Sequence, residues 1–182
     1  MTTTRERSAT VTLRRRVRAG ILPISVEARL SLMLRVSVAL VYIWFGLPKF
    51  WVGLSPAEPL AVRTTEALTF GVLHGHLASV LIAAFEVAFG LLLLSGRVPR
   101  LTFLVFLGHI AGTAAPLILF PEVTWVMPVV GTLEGQYILK NVVLIAAVTS
   151  ALVLTQQDRR QRRQLRQQIE ELEHVRPATV AA

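Results

Sequence analysis

Apolar residues along the chain collect into four runs of about 20 residues, and most charged residues lie between or outside these runs. A helix that crosses a lipid bilayer needs about 20 predominantly apolar residues. The pattern therefore predicts four membrane-spanning helices, over residues 30–48, 77–95, 101–120 and 137–155. The chain shows no internal repeat of roughly 20 to 50 residues, so it gives no support to an inverted-repeat transporter.

The distribution of basic residues predicts how these helices are oriented. Seven arginines lie in residues 1–29, two in the 96–100 turn and six in residues 156–182. The 49–76 connection contains only Lys49 and Arg63 as basic residues, and the 121–136 connection contains none. Because lysine and arginine are enriched in cytoplasmic loops, both tails and the 96–100 turn are expected in the cytoplasm. The predicted fold is an all-α integral membrane four-helix bundle of the plasma membrane, with both termini cytoplasmic.

The segments outside the spans complete the predicted organisation. Basic cytoplasmic tails at 1–29 and 156–182 flank a transmembrane domain at 30–155. Within that domain, Ser55-Pro56-Ala57-Glu58 has a capping-box pattern. The mixed apolar and polar residues that follow, to about Leu73, predict an amphipathic extracytoplasmic helix between the first two spans. Prolines and glycines in residues 121–136 interrupt helical structure, so this segment is predicted to be a loop.

The carboxyl-terminal tail is expected to continue the fourth span as a partly helical segment. Leu165, Ile169 and Leu172 recur at helical spacing, which is the pattern of a short coiled-coil seam. A solvated basic helix lying near anionic lipid explains the same residues. The pattern leaves both interpretations open.

The amino-acid composition limits the partners and cofactors that are expected for this chain. The chain is 53% hydrophobic, with a mean hydropathy of +0.59 and a net charge of +8. The arginines at the ends of the spans account for the positive charge, so nucleic acid is not an expected partner. The chain has no cysteine, which excludes disulfides, iron–sulfur clusters and cysteine-ligated zinc. Only His109 lies in mid-span, which argues against a haem held by paired histidines, and we predict no metal site.

Each span carries one stripe of small and polar residues at helical spacing, as is typical where membrane helices approach closely. Ionisable residues within a span destabilise its insertion by roughly 2.5–3.5 kcal/mol each, so each needs a structural or functional reason. The stripes are Arg35, Ala39, Tyr42, Gly46 and Lys49; Ser79, Ala83, Glu86 and Gly90; His109, Gly112, Thr113 and Pro116; and Gln136, Lys140, Ala147 and Ser150.

Two groups of candidate residues follow from these stripes. Glu86 and His109 are expected at nearly the same depth, and Arg35 is expected to reach Glu86. The predicted buried network, which fixes helix register or responds to protons or a ligand, is Arg35, Tyr42, Glu86 and His109. The second group lies near the outer surface and consists of snorkelling or ligand-binding side chains. Its members are Lys49, His74, His76, Glu134, Gln136, Tyr137, Lys140 and Asn141. The ligand-binding candidates among them are Lys49, Glu134, Gln136, Lys140 and Asn141, of which Lys49 and Lys140 would face the head of a quinone, lipid or anionic solute.

The first span reads LRVSVALVYIWFGLPKF, and the second reads EVAFGLLLLSGRVPRL where it passes into the third. This combination resembles the DoxX family of small four-helix membrane proteins of bacteria and archaea. The matching positions are Arg35, Gly46, Lys49, Glu86, Gly96 and Arg100, and the resemblance covers roughly residues 30–155. It implies a plasma-membrane bundle linked to quinone-coupled oxidation or to oxidative-stress complexes. Because the chain has no cysteine, a redox role would depend on a bound quinone or on a partner's cofactor.

These observations favour a membrane subunit that binds a quinone or lipid-like ligand and supports a redox-enzyme partner, without autonomous enzyme activity. Two other classes of function stay open. A proton-coupled carrier or channel would use Glu86 and His109, and would require a homo-oligomer because four spans per chain are few for a carrier. A membrane scaffold would instead recruit cytoplasmic partners through its tails.

Overall fold

The computed structural model describes residues 26–180, with side-chain environments through residue 171. Most of the expected tail at 1–29 therefore lies outside the described residues. The helices of the described part are α1 (Val26–Gly46, extended by a 3-10 turn at Leu47–Phe50), α2 (Glu58–Leu68), α3 (Gly75–Ser95), α4 (Pro99–Ala114), α5 (Pro116–Leu119), α6 (Pro121–Thr124), α7 (Leu133–Leu139) and α8 (Asn141–Val180). A small antiparallel hairpin of β1 (Trp125–Met127) and β2 (Val130–Gly131) separates α6 from α7.

Four helical segments are long and apolar enough to cross a membrane. They are Val26–Phe50, Gly75–Ser95, Pro99–Leu119 and Leu133–Glu171, so the described part of the chain has the expected number of helices with the length and apolarity of a span. Large apolar side chains remain exposed along them, among them Leu40 at 66%, Trp44 at 73% and Leu104 at 67%. Such surfaces are stable when lipid rather than water surrounds them.

Helix α1 lies at the centre of the packing. It packs extensively against α3 on one side and against α8 on the other, and α4 joins the bundle through contacts with α3 and α8. The buried core consists of Val38, Ala39, Tyr42, Phe89, Leu93, Phe106, Ile110, Val148 and Leu152. The aromatic rings of this core come from three different helices, so the core holds α1, α3 and α4 together.

Small residues set the close approach of α1 and α3. A Cβ atom on Gly46 would lie 3.0 Å from the Cβ of Glu86, and one on Gly90 would lie 2.7 Å from Cγ1 of Ile43. The two antiparallel helices are therefore in register with Gly46 opposite Glu86 and Gly90 opposite Ile43. Backbones that approach this closely gain van der Waals contact, which is the main attraction between helices in lipid.

Hydroxyl groups join α1 to α8. The Ser31 hydroxyl donates to the carbonyl of Ala151 at 2.9 Å and lies 2.6 Å from the Thr155 hydroxyl. The buried face of α8 therefore includes Val148, Ala151 and Thr155. The predicted stripe of Gln136, Lys140, Ala147 and Ser150 is not this face, because Gln136, Lys140 and Ser150 are exposed and the chain leaves the helix at Lys140, between α7 and α8.

Three segments meet at one end of the bundle, which we call the basic end: the start of α1, the turn at 96–98 between α3 and α4, and α8 from Gln156 onward. Arg159 of α8 donates to the carbonyl oxygens of Gly96 and Arg97, which holds the turn against α8. Gly96 ends α3 in a left-handed conformation, with φ of 57°, as is common for a glycine at this position. Helix α8 runs on from here to Val180.

The opposite end of the bundle is formed by α2, the hairpin and the short helices. A helix does lie between the first two spans, but it begins at Glu58 with Ala57 at its cap, so the Ser55 capping box is wrong. Glu58 instead accepts from the backbone N–H of Gly53 at 2.8 Å. Arg63 of α2 binds Glu122 at 3.1 Å, and its guanidinium lies 3.9 Å from the centre of the Phe120 ring, which holds α2 against the 116–124 region.

The 121–136 connection is more ordered than its prolines and glycines predict. It contains α6, the hairpin and the start of α7. Gly135, which we expected to break a helix, lies inside α7, where the backbone carbonyl of Thr124 occupies the space that a Cβ would need. The Thr132 hydroxyl caps α7 by accepting from the N–H of Gly135 at 3.1 Å. Glycine here serves close packing rather than a break.

Candidate functional site

A buried ion pair joins α1 to α3. The ammonium group of Lys49 donates to Oε2 of Glu86 at 2.7 Å, and the two residues are only 3% and 8% exposed. Lys49 also donates to the carbonyl of Phe45 at 2.8 Å. A charge buried this well is tolerated only with a partner and further hydrogen bonds, and both are present here.

The local sequence explains how Lys49 reaches the bundle interior. Gly46 ends α1, and Pro48 follows in a 3-10 turn that directs the Lys49 side chain back along the helix. The Lys49 carbonyl accepts from the buried hydroxyl of Ser79 at 2.9 Å, which fixes the turn against α3. Since Gly46 has no side chain, the Glu86 carboxylate lies within reach of the ammonium group.

Aromatic rings lie in the bundle at about the same depth as the ion pair. The Tyr42 ring lies 4.6 Å from that of Phe89 and 5.4 Å from that of His109, measured between centroids. His109 also stacks on Phe85, at 5.0 Å and 23°. Phe85 is the immediate chain neighbour of Glu86, so Glu86 and His109 do lie at similar depth. Tyr42 is within electrostatic range of Glu86, and His109 is within electrostatic range of Lys49.

Several polar atoms in this group have no hydrogen-bond partner among the described residues. Tyr42 is 6% exposed, yet its hydroxyl has none. The His109 ring nitrogens have none either, and Lys49 occupies only one of the two Glu86 carboxylate oxygens. A buried polar group without a partner destabilises a protein by about 1–3 kcal/mol. We call Tyr42, Lys49, Glu86 and His109 the interior polar cluster; its unused atoms are the chemical features that a ligand would satisfy.

Arg35 does not belong to this cluster, and the expected Arg35–Glu86 pair is wrong. The Arg35 guanidinium donates to the carbonyl of Leu93 at 2.8 Å and to that of Leu94. These carbonyls lie about two helical turns, roughly 11 Å, beyond Glu86 along α3. Arg35 therefore stabilises the carboxyl-terminal end of α3, where a cation interacts favourably with the helix dipole. Its guanidinium occupies the space beside Gly96.

The outer candidates do not form one site. Gln136 donates to the carbonyl of Gly131 at 3.1 Å, and Asn141 donates to the Thr113 hydroxyl at 3.1 Å, so both hold local structure. Glu134 is exposed. Lys140 lies 3.2 Å from the centre of the Tyr137 ring and 4.6 Å from that of Phe45.

Phe45 contacts both Lys49 and Lys140. Its carbonyl accepts from Lys49, and its ring contacts Lys140 and lies 5.8 Å from the ring of Tyr137. Lys140 is exposed, whereas Lys49 is buried with Glu86. The two lysines that we expected to act together thus contact different parts of Phe45, Lys49 its backbone carbonyl and Lys140 its ring.

Some members of the site were not singled out from the sequence. Phe85 and Phe89 read as ordinary apolar residues of a span, and Ser79 was noted only as part of a stripe. The spacing of Ser79, Ala83, Glu86 and Gly90 did mark the correct face of α3, because all four are buried. Among the described residues, no group of three or more metal-ligating side chains is present.

The chain matches no protein-family model, and neither a curated protein nor a solved structure is significantly similar to it. Its class rests on the fold and the site: a helical protein with four candidate membrane spans and a charged pair inside the bundle.

Proposed function

We propose that this protein is a DoxX-like membrane subunit that binds the polar head of a quinone in its interior polar cluster and serves a redox-enzyme partner. In this proposal it lies in the plasma membrane with both termini in the cytoplasm. It has no autonomous enzyme activity, since the electrons come from the partner. The observation that carries the proposal is the buried Tyr42 hydroxyl, which has no partner among the described residues, on a ring that contacts those of Phe89 and His109.

The six positions that resemble the DoxX pattern support the family proposal by their contacts. Gly46, Lys49 and Glu86 pack together around the ion pair. Arg35 packs against Gly96 at the end of α3. Residues far apart in the sequence thus form two contact groups, which leaves only Arg100 outside them.

The interior polar cluster suits a quinone for two reasons. The Tyr42 hydroxyl and an N–H of His109 are donors, and a quinone carbonyl oxygen accepts hydrogen bonds. Phe85, which is 36% exposed, offers an apolar ring to a planar ligand, and it lies nearly parallel to the ring of the buried Phe89, 6.4 Å apart at 6°. When bound, a quinone takes up electrons and protons in equal numbers as it is reduced.

The chain's own residues would position the ligand and move its protons. Tyr42 and His109 would orient the ring through their hydrogen bonds. Glu86, held in place by Lys49, would take up a proton from water and give it to the bound oxygen, and would return to its ionised form, since it is the carboxylate of the cluster. The exposed Lys140, together with Tyr137 and Phe45, would form the outer side of the entrance.

A matched pair of tyrosine variants tests this function. Purified protein titrated with a short-chain benzoquinone is expected to show a saturable change in tryptophan fluorescence. Tyr42→Phe keeps the ring but removes the donor, so the Kd is expected to rise about five- to tenfold, as for the loss of one hydrogen bond. Tyr137→Phe makes the same change outside the cluster. It keeps the ring that packs against Lys140 and Phe45 and removes only a hydroxyl that has no hydrogen-bond partner among the described residues, so the Kd is expected to stay nearly unchanged.

Two results would contradict the quinone function. One is the absence of a saturable signal in the unmodified protein together with no quinone in its extracted lipids. The other is an equal effect of both tyrosine variants. Proteoliposome flux that depends on Glu86 would instead identify a proton-coupled carrier. A function that is lost on deletion of residues 156–182, with the bundle still folded, would identify a scaffold.

A further inference from the structure

A second group of charged side chains lies at the basic end, well apart from the interior polar cluster. It is a cavity of about 450 Å³ between the start of α4 and the part of α8 that follows its apolar stretch. Pockets that hold small ligands have volumes of this order. Its lining includes Val98, Arg100, Leu101, Arg159, Arg160 and Arg163.

The charge of this cavity is not balanced by the described part of the chain. No acidic side chain of the described part lines it. The ion pairs among described side chains are Lys49–Glu86, Arg63–Glu122 and Arg162–Asp158, and none of them involves a cavity arginine. Arg100, Arg160 and Arg163 thus present their guanidinium groups without a carboxylate partner among the described residues. An anion is the ligand that this surplus of donors and charge favours.

The fourth arginine fixes the shape of the cavity. Arg159 donates to the carbonyl of Arg97 at 3.1 Å and to that of Gly96, which ties the 96–98 turn to α8. The turn leads directly into the lining residues at 98–101, so this contact holds the α4 part of the lining in place relative to α8. The cavity is therefore a feature of the fold and not of mobile side chains alone.

The apolar part of the lining distinguishes a lipid from a free anion. Leu101 lines the cavity and is 53% exposed, and Leu104, one turn further along the same face of α4, is 67% exposed. This face belongs to a segment that is long and apolar enough to cross a membrane. A ligand with its charge at the arginines would extend apolar chains along this face.

We propose that the cavity binds the phosphate group of an anionic phospholipid, with Arg100, Arg160 and Arg163 around the phosphate and the acyl chains along α4. The bound lipid bridges α4 and α8, whose direct packing is looser than that of α1 with its neighbours. This site is independent of the proposed quinone function, because the two groups share no residue.

The test is lipid binding by the full chain in a neutral detergent, measured by native mass spectrometry. The titrants are phosphatidylglycerol and phosphatidylcholine with the same acyl chains. Phosphatidylglycerol is expected to bind more tightly. Arg100→Gln with Arg163→Gln removes two cavity arginines and is expected to raise its Kd about tenfold or more. Arg97→Gln with Arg166→Gln is the matched control: it removes one arginine from the turn and one from α8, both exposed and outside the cavity lining.

The control pair is expected to change the Kd by less than about twofold, because charges farther from the phosphate are screened. Equal weakening by both pairs would overturn the proposal in favour of general charge attraction. Equal binding of the two lipids would also overturn it. Displacement of the lipid by inorganic phosphate alone would identify a free-anion site instead. Unfolding temperatures of both pairs are expected to match the unmodified protein, since the four side chains replaced make no hydrogen bond with described residues.

Discussion

The side chain of Lys49 runs back along α1 and places its ammonium group between the Phe45 carbonyl and the Glu86 carboxylate. The two opposite charges thereby pair with each other, so neither is left without a partner in the apolar interior. In lipid, an ion pair of this kind fixes the register of two helices, because sliding α1 by one turn would separate the charges. The same pair keeps Glu86 in place beside Tyr42 and His109.

Replacement of one partner is expected to be far more damaging than replacement of both. Lys49→Met leaves the Glu86 carboxylate buried without its partner, which is expected to lower the free energy of unfolding by about 3–5 kcal/mol. Lys49→Met with Glu86→Gln removes both charges and is expected to recover most of that loss. Denaturant unfolding in detergent measures both. A double variant as unstable as the single one would show that the two charges are not coupled.

At the scale of helices, the close approach of α1 and α3 depends on glycines that face the partner. A Cβ at Gly90 would lie 2.7 Å from Ile43 and 3.1 Å from the carbonyl of Ala39, so the helices would have to separate. Gly112 offers the comparison, because a Cβ there would meet nothing within 4 Å.

Alanine substitutions at these two glycines are expected to have opposite effects. Gly90→Ala is expected to lower the free energy of unfolding by about 1–3 kcal/mol through overpacking. Gly112→Ala is expected to be neutral or slightly stabilising, since alanine favours a helix by up to about 1 kcal/mol. Parallel unfolding curves of the two variants provide the measurement. If both behave alike, the α1–α3 contact is not as close as its geometry indicates.

A hydropathy pattern does not predict the fold of the short elements at the end opposite the basic end. The hairpin places Val129 at φ of 73°, a conformation that β-branched residues rarely adopt, so after Pro128 the sequence has valine where such a turn favours glycine or asparagine. Its strands pair over a few residues only and show no alternation. Packing of Gly135 against Thr124, and not local preference, decides the fold of this segment.

At the scale of the whole molecule, the arginines define two different ends. In the described part, Arg29, Arg97, Arg100 and the arginines of α8 lie at the basic end, whereas Arg63 lies on α2 at the other end. A membrane protein with this asymmetry is expected to have its basic end in the cytoplasm. The same orientation would place the proposed lipid cavity at the cytoplasmic surface and α2 outside.

The absence of native cysteines makes this orientation directly measurable. Glu66→Cys on α2 and Gln164→Cys on α8 are both exposed positions at opposite ends. A membrane-impermeant maleimide added to intact cells is expected to label Glu66→Cys only, and to label Gln164→Cys only after the membrane is opened. Labelling of Gln164→Cys in intact cells would reverse the proposed orientation.

The sequence by itself determined the number and approximate bounds of the four candidate spans. It also marked the buried faces of α1 and α3, because apolar run length and helical periodicity are local properties of a chain. It identified Glu86 and His109 as lying at similar depth for the same reason. It did not determine which charge pairs with Glu86. That choice depends on the axial register of α1 against α3, which the close contacts at Gly46 and Gly90 set. The tertiary structure alone placed Lys49 at Glu86 and Arg35 at the end of α3, and it alone formed the arginine-lined cavity between α4 and α8.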